Sequence, residues 1–159
     1  MIAAGNSPLE HPRGGTPALP LSILVVEDEP SARCGLARAV TDLGYHVRAA
    51  ADGEEAWQLH RRAPADIIVS DWRMPRLDGY DLCRRTRAAG NGRYTYFIFM
   101  TALADKEHFA RAIEAGADDY LTKPIDLDEL EARLLSATRV MKLHRDAERV
   151  RSLRSWGGP

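Results

Sequence analysis

Three short runs, Ile23-Leu24-Val25-Val26, Ile67-Ile68-Val69 and Phe97-Ile98-Phe99-Met100, are apolar on every residue rather than on every second one. A strand with one wet face alternates, so these runs predict strands that are covered on both faces. Such coverage is the condition of a parallel sheet between two helical layers, and amphipathic segments lie between the runs to supply it. Strands are expected at Ile23–Val26, His46–Ala49, Asp66–Ser70, Tyr96–Thr101 and Asp119–Thr122. Helices are expected at Ser31–Leu43, Gly53–Arg62, Gly79–Ala88, Lys106–Ala115 and from Leu127 to about Leu153.

Local chemistry marks the helix ends. Asp52, Asp78 and Asp126 each stand three residues before an acid, Glu55, Asp81 and Glu129, so their side-chain oxygens can accept first-turn amides. Gly44, Gly90 and Gly116 suit the left-handed residues that close helices. Strict alternation of five strands and five helices, joined by right-handed crossovers, gives an α/β, open, doubly wound parallel sheet.

At 159 residues the chain is expected to hold one domain with a real core and no second sizeable domain. Lysine and arginine (22) nearly balance aspartate and glutamate (23), so net charge demands no polyanionic partner. Cys34 and Cys83 lie far apart in helical segments, as reduced thiols would. No window is apolar enough to span a bilayer and the start lacks a signal peptide pattern, so a soluble, cytoplasmic protein is expected. Residues 1–20, with Pro8, Pro12, Pro17 and Pro20 among several glycines, read as a flexible leader.

Ligands of doubly wound sheets bind at the carboxyl ends of the strands. Here the first strand runs into Glu27-Asp28, the third into Asp71, the fourth into Thr101 and the fifth into Lys123-Pro124. Converging carboxylates repel, and a hard divalent cation such as magnesium relieves them. Lys123 and Thr101 add a point charge and a hydroxyl suited to phosphate oxygens. Together these groups fit phosphoryl transfer to a carboxylate, with Asp71, at the end of the central strand, as nucleophile. Taken singly, each residue also reads as a helix cap or a solvated turn; their joint order carries the assignment.

Leu24-Val25-Val26-Glu27-Asp28-Glu29, Ser70-Asp71-Trp72-Arg73-Met74-Pro75-Arg76-Leu77-Asp78-Gly79, Met100-Thr101-Ala102 and Gly116-Ala117-Asp118-Asp119-Tyr120-Leu121-Thr122-Lys123-Pro124 resemble the receiver domain of two-component response regulators. The resemblance covers about Leu21 to Thr138. It implies a flavodoxin-like sheet of strand order 2-1-3-4-5, with 21–138 as the receiver and 139–159 as a helical extension and short tail. It implies Asp71 as phosphoacceptor, served by a histidine kinase or a histidine phosphotransfer protein. Glu27, Asp28, Asp71 and the backbone carbonyl of Arg73 would hold Mg2+ or Mn2+, Glu27 through water. Thr101 and Lys123 would contact the phosphoryl oxygens, Ala102 would leave them room, and Thr101 and Tyr120 would act as the switch pair. The Lys123-Pro124 bond would be cis, and the face of the fourth helix, fifth strand and fifth helix would change on phosphorylation. Such a chain is a signalling switch that assists its own phosphorylation rather than an enzyme in the ordinary sense.

Two positions depart from the commonest family pattern. Glu27 stands where aspartate is more usual, which lengthens one metal-binding arm. Trp72 and Arg73 follow the phosphoacceptor, and Arg73 with Leu103 would border the path of attacking water and tune the phosphoryl lifetime.

The last helix continues past the fold's needs through Val140, Leu143, Ala147, Val150 and Leu153, a stripe that wants a partner. Arg139, Lys142, Arg145, Arg149, Arg151 and Arg154 against Asp146 and Glu148 make this tail basic. A coiled-coil homodimer is favoured over direct nucleic-acid contact; a truncated linker to an output domain and a stand-alone regulator remain open. Other classes fit less well. A haloacid dehalogenase phosphatase needs an aspartate where Arg73 stands, and a dinucleotide enzyme needs a glycine-rich loop where Glu27-Asp28-Glu29-Pro30 stands. A degenerate receiver that only binds a partner would lack some of the five key side chains, and all are present.

Overall fold

A computed structural model describes residues 20–90, 92–102 and 106–157. The leader read over residues 1–20, apart from Pro20, and the position of Leu103 lie outside the described residues. Ten elements alternate without exception: β1 (Ser22–Val26), α1 (Pro30–Asp42), β2 (His46–Ala50), α2 (Gly53–Arg62), β3 (Ile67–Asp71), α3 (Gly79–Ala88), β4 (Tyr96–Thr101), α4 (Lys106–Ala115), β5 (Asp119–Thr122) and α5 (Leu127–Ser155). All strand pairs are parallel and the sheet order is β2-β1-β3-β4-β5, as expected for the flavodoxin-like class.

The unbroken apolar runs have the cause inferred for them. Successive side chains of a strand leave on opposite faces, and here each face has its own core. Ile23, Val25, Ile67, Val69, Ile98 and Met100 pack with Leu130, Leu134 and Met141 of α5 and with Leu36 and Val40 of α1. Leu24, Val26, Ile68, Phe97 and Phe99 pack with Ala56 of α2, Leu82 and Cys83 of α3, and Ala112 of α4. Phe97, Phe99, Ile67, Ile68 and Ile98 are wholly buried. Truncating one such side chain to alanine costs about 2–5 kcal/mol.

Helix caps formed as the sequence chemistry required. Asp52 accepts from the Glu55 amide, Asp78 from Asp81, and Asp126 from Asp128 and Glu129. The first helix begins one residue earlier than expected. Glu29 caps it by accepting the amides of Ser31 and Ala32, with Pro30 in the first turn, where its missing N–H costs nothing. Gly116, with φ of 91°, closes α4 in the left-handed region against the side chain of Arg87.

The fifth helix passes residue 138 without a break. Met141 is buried in the core, the ring of His144 stacks on Tyr94 at 4.4 Å between centroids, and Arg145 reaches Asp66 at 2.8 Å. Beyond Arg145 the helix stands mostly exposed, with Val150 and Leu153 uncovered. None of the described helices is long and apolar enough to cross a membrane.

Candidate functional site

The parallel register brings the carboxyl ends of β1, β3, β4 and β5 to one edge. Val26 pairs with Ser70, Asp71 with Met100, and Thr101 with Thr122, so Glu27, Asp71, Thr101 and Lys123 leave neighbouring strands within about one residue of each other. Single carboxylate oxygens of Glu27, Asp28 and Asp71 all lie within 4.8 Å of one another. Glu27 is buried, Asp71 half-buried and Asp28 exposed, so the cluster opens to solvent on the Asp28 side.

Lys123 enters this cluster from β5. Its ammonium donates to Glu27 Oε2 at 2.8 Å and to Asp71 Oδ2 at 2.9 Å. Burial works against the charged ammonium, but the two carboxylate hydrogen bonds prevail and hold its pKa above the ordinary lysine value. Three carboxylates against one ammonium leave two formal negative charges in a site with oxygen donors on one open side. A divalent, oxygen-seeking cation matches that donor set in charge and in ligand type.

Side chains outside the expected set hold the loops in place. Glu27 accepts the Glu29 amide at 3.1 Å through its second oxygen, and Arg33, one turn into α1, donates to the carbonyls of Glu27 and Asp28. Gly79, at the start of α3, donates its amide to the Trp72 carbonyl at 2.9 Å. A Cβ at Gly79 would overlap the carbonyl oxygen of Asp71, and one at Gly53 would overlap that of Leu77. Both helix starts therefore press bare backbone against the loop that carries the phosphoacceptor candidate. Arg33 and the packing role of the glycines were missed by sequence reasoning; only the Asp78-Gly79 motif hinted at the second.

The remaining candidates divide. Thr101 is buried at the end of β4, and its carbonyl accepts the Lys123 amide at 2.8 Å. Tyr120 is half-buried on β5, edge-on to Phe109 of α4 with centroids 5.4 Å apart. Arg73 follows in the loop with an exposed side chain. Trp72 is buried between Phe99 and His108, with the Arg111 guanidinium 5.8 Å above its ring. The Lys123-Pro124 bond is cis.

Residues 23–135 match the family model of the response regulator receiver domain. The chain belongs to that family. Among curated relatives, the receiver is 42% identical over 117 residues to a probable transcriptional regulator, ycf27, of Porphyridium aerugineum, covering 74% of this chain and 48% of the relative. It is 39% identical over 130 residues to the response regulator MprA of Mycobacterium avium, covering 82% of this chain and 56% of the relative. The chain thus spans about half the length of the curated relatives it matches. Among solved structures, the chemotaxis protein CheY4 of Vibrio cholerae superposes with a TM-score of 0.71 at 29% identity, over 74% of this chain and 98% of that one. The receiver domain of the Francisella response regulator 1452 gives 0.70 at 33% identity, over 75% and 97%. The receiver is a two-component signalling domain, and such a domain implies a histidine-kinase-type phosphodonor.

Proposed function

We propose that this receiver is phosphorylated on Asp71 and passes the event on through its α4-β5-α5 face and its tail. The observation that carries the reading is the double hydrogen bond of Lys123 to Glu27 and Asp71, beside three carboxylates that converge within 4.8 Å.

A free oxygen of Asp71 attacks the phosphorus of a phosphohistidine donor. The P–N bond breaks, its electron pair returns to the imidazole, and an acyl phosphate remains on Asp71. Lys123, already 2.9 Å from Asp71 Oδ2, exchanges a carboxylate partner for a phosphoryl oxygen and stays anchored on Glu27. The Thr101 hydroxyl donates to a second phosphoryl oxygen. Glu27, Asp28, Asp71 and the Arg73 carbonyl would hold Mg2+ or Mn2+, which supplies charge neutralisation on the transferring group. Inward movement of Thr101 on phosphorylation draws Tyr120 with it, and the Tyr120–Phe109 contact passes that shift to α4.

The readout is protein contact, with a histidine kinase or phosphotransfer protein upstream and self-association through the α5 extension downstream, in the cytoplasm. Direct nucleic-acid contact by the tail is the weaker reading, because its basic residues flank an apolar stripe. Transfer of labelled phosphoryl from a phosphohistidine protein tests the function. Label on the wild type that vanishes in Asp71→Ala is expected; equal labelling of both would overturn the site assignment.

A further inference from the structure

We propose that a cavity between the α5 extension and the loop before β4 binds a phosphate monoester, which bridges Arg93 to Arg151 and fastens the tail to the body. The site stands apart from Asp71 and does not depend on phosphorylation there.

All strands of a parallel sheet start at one edge, and Tyr94 and Thr95 precede β4 at the edge opposite the carboxylates. The fifth helix begins at the carboxylate edge and has crossed to the starting edge by residue 144, where His144 stacks on Tyr94 and Arg145 meets Asp66. There the helix and the body enclose an open cavity of about 380 Å³. Arg87, Arg93 and Tyr94 line it from the body, and His144, Glu148 and Arg151 from the helix. Its size is at the lower end of the ~300–1,000 Å³ of small-molecule sites.

The donors decide what this cavity holds. Its hydroxyls are spent inside the fold: Tyr94 donates to Asp118, Thr95 to the Ala65 carbonyl and Thr86 to the Leu82 carbonyl. A sugar or other neutral polar ligand therefore finds few donors. Positive charge is in excess, because Arg87, Arg93, Arg145 and Arg151 stand against Asp66, Asp118 and Glu148. Two of those acids are shared out within the body. Asp66 accepts the Ser22 amide and Arg145 besides Arg93 at 3.7 Å, and Asp118 accepts the Phe97 amide and Arg87. The Arg93 side chain is half exposed, and Arg151 is exposed and makes no ion pair among the described residues.

A guanidinium fork takes two oxygens of a carboxylate or a phosphate. Two forks, one on the loop and one on the helix, suit a group with three terminal oxygens, whereas a single carboxylate serves only one of them. A phosphate monoester supplies the three oxygens and lets its organic part leave through the open side. Sharing one dianion relieves the repulsion between Arg93 and Arg151 and adds an attachment of α5 beyond Arg145. The half-buried Glu148 opposes the ligand and moderates its affinity.

The test titrates glycerol 3-phosphate into the full chain in chelator, at constant ionic strength, and follows backbone amides by NMR. Saturable shifts at Gly92, Arg93 and His144 are expected, and amide exchange in α5 beyond Met141 slows by about tenfold at saturation. Arg93→Ala and Arg151→Ala each weaken binding by about tenfold or more, while Glu148→Gln tightens it severalfold. The melting temperature of each variant without the ester shows that it folds. Absence of saturable shifts at millimolar ester, shifts confined to the amides around Asp71, or unchanged affinity in both arginine variants would overturn the site. Equal affinity for succinate would overturn the phosphate assignment, and equal affinity for glycerol would overturn the charge argument.

Discussion

The Lys123 ammonium lies 2.9 Å from Oδ2 of Asp71, a cation from the fifth strand resting on a carboxylate from the third. The contact offsets part of the cluster's negative charge, and under the proposed function it would station a positive charge where phosphoryl oxygens arrive. Separating these roles gives the first prediction. Lys123→Met leaves the carboxylates unopposed, so the melting temperature in chelator falls and the gain on adding magnesium exceeds that of the wild type. Asp71→Asn removes one charge and lessens that gain. Differential scanning with and without magnesium measures both; equal gains in all three proteins would contradict a metal pocket at this site.

Gly79 is expected to be intolerant where Gly35 is not. A Cβ at Gly79 meets the Asp71 carbonyl oxygen, so Gly79→Ala must shift the loop and is expected to cost about 2 kcal/mol or more. It should slow phosphorylation as well. Gly35 lies within α1 with nothing near its Cβ, so Gly35→Ala is expected to stabilise by about 0.5–1 kcal/mol. Urea titration of the two variants decides the comparison.

His60 sets an acid limit on stability. Its ring is buried under Trp57, and Nδ1 accepts the Ala65 amide at 3.1 Å, a bond only the neutral form can make at that nitrogen. Burial, aided by the Arg48 charge, lowers its pKa to about 4 from an ordinary value of 6.5. The unfolded chain therefore binds the proton first. Stability from this residue is complete above pH 6.5 and is lost as pH falls from there toward 4. Unfolding free energy should decline across that window in the wild type and more gently in His60→Gln; identical slopes would contradict the assignment.

Arg145 pins the tail to the body through Asp66, whose side chain is 5% exposed and also accepts the Ser22 amide. Arg145→Ala is expected to speed amide exchange in α5 beyond Met141 by about tenfold while leaving the phosphorylation rate unchanged. Protection unaltered beyond Met141 would show that the helix needs no such anchor.

The sheet and its functional edge were legible because both are written locally. Ile67-Ile68-Val69 followed by Asp71 states a doubly covered strand and a polar terminus in a few residues, and Asp52, Asp78 and Asp126 cap the helices that follow them. What escaped the sequence depends on elements meeting from far along the chain. Glu29 reads as part of an acidic motif, and its role as the cap of α1 emerges only from its contacts with Ser31 and Ala32. Asp66 and Arg145 are separated by most of the fold, as are Tyr94 and His144, so no local pattern announces either pair. The tail's apolar stripe was visible, but the side of the helix committed to the body was not.

Intact-mass analysis after incubation with acetyl phosphate tests the central claim most directly. With magnesium the wild-type chain should gain one phosphoryl group, and both chelator and Asp71→Ala should abolish the gain. A chain that stays unmodified under the first condition, or an Asp71→Ala chain that is modified equally, would contradict the account.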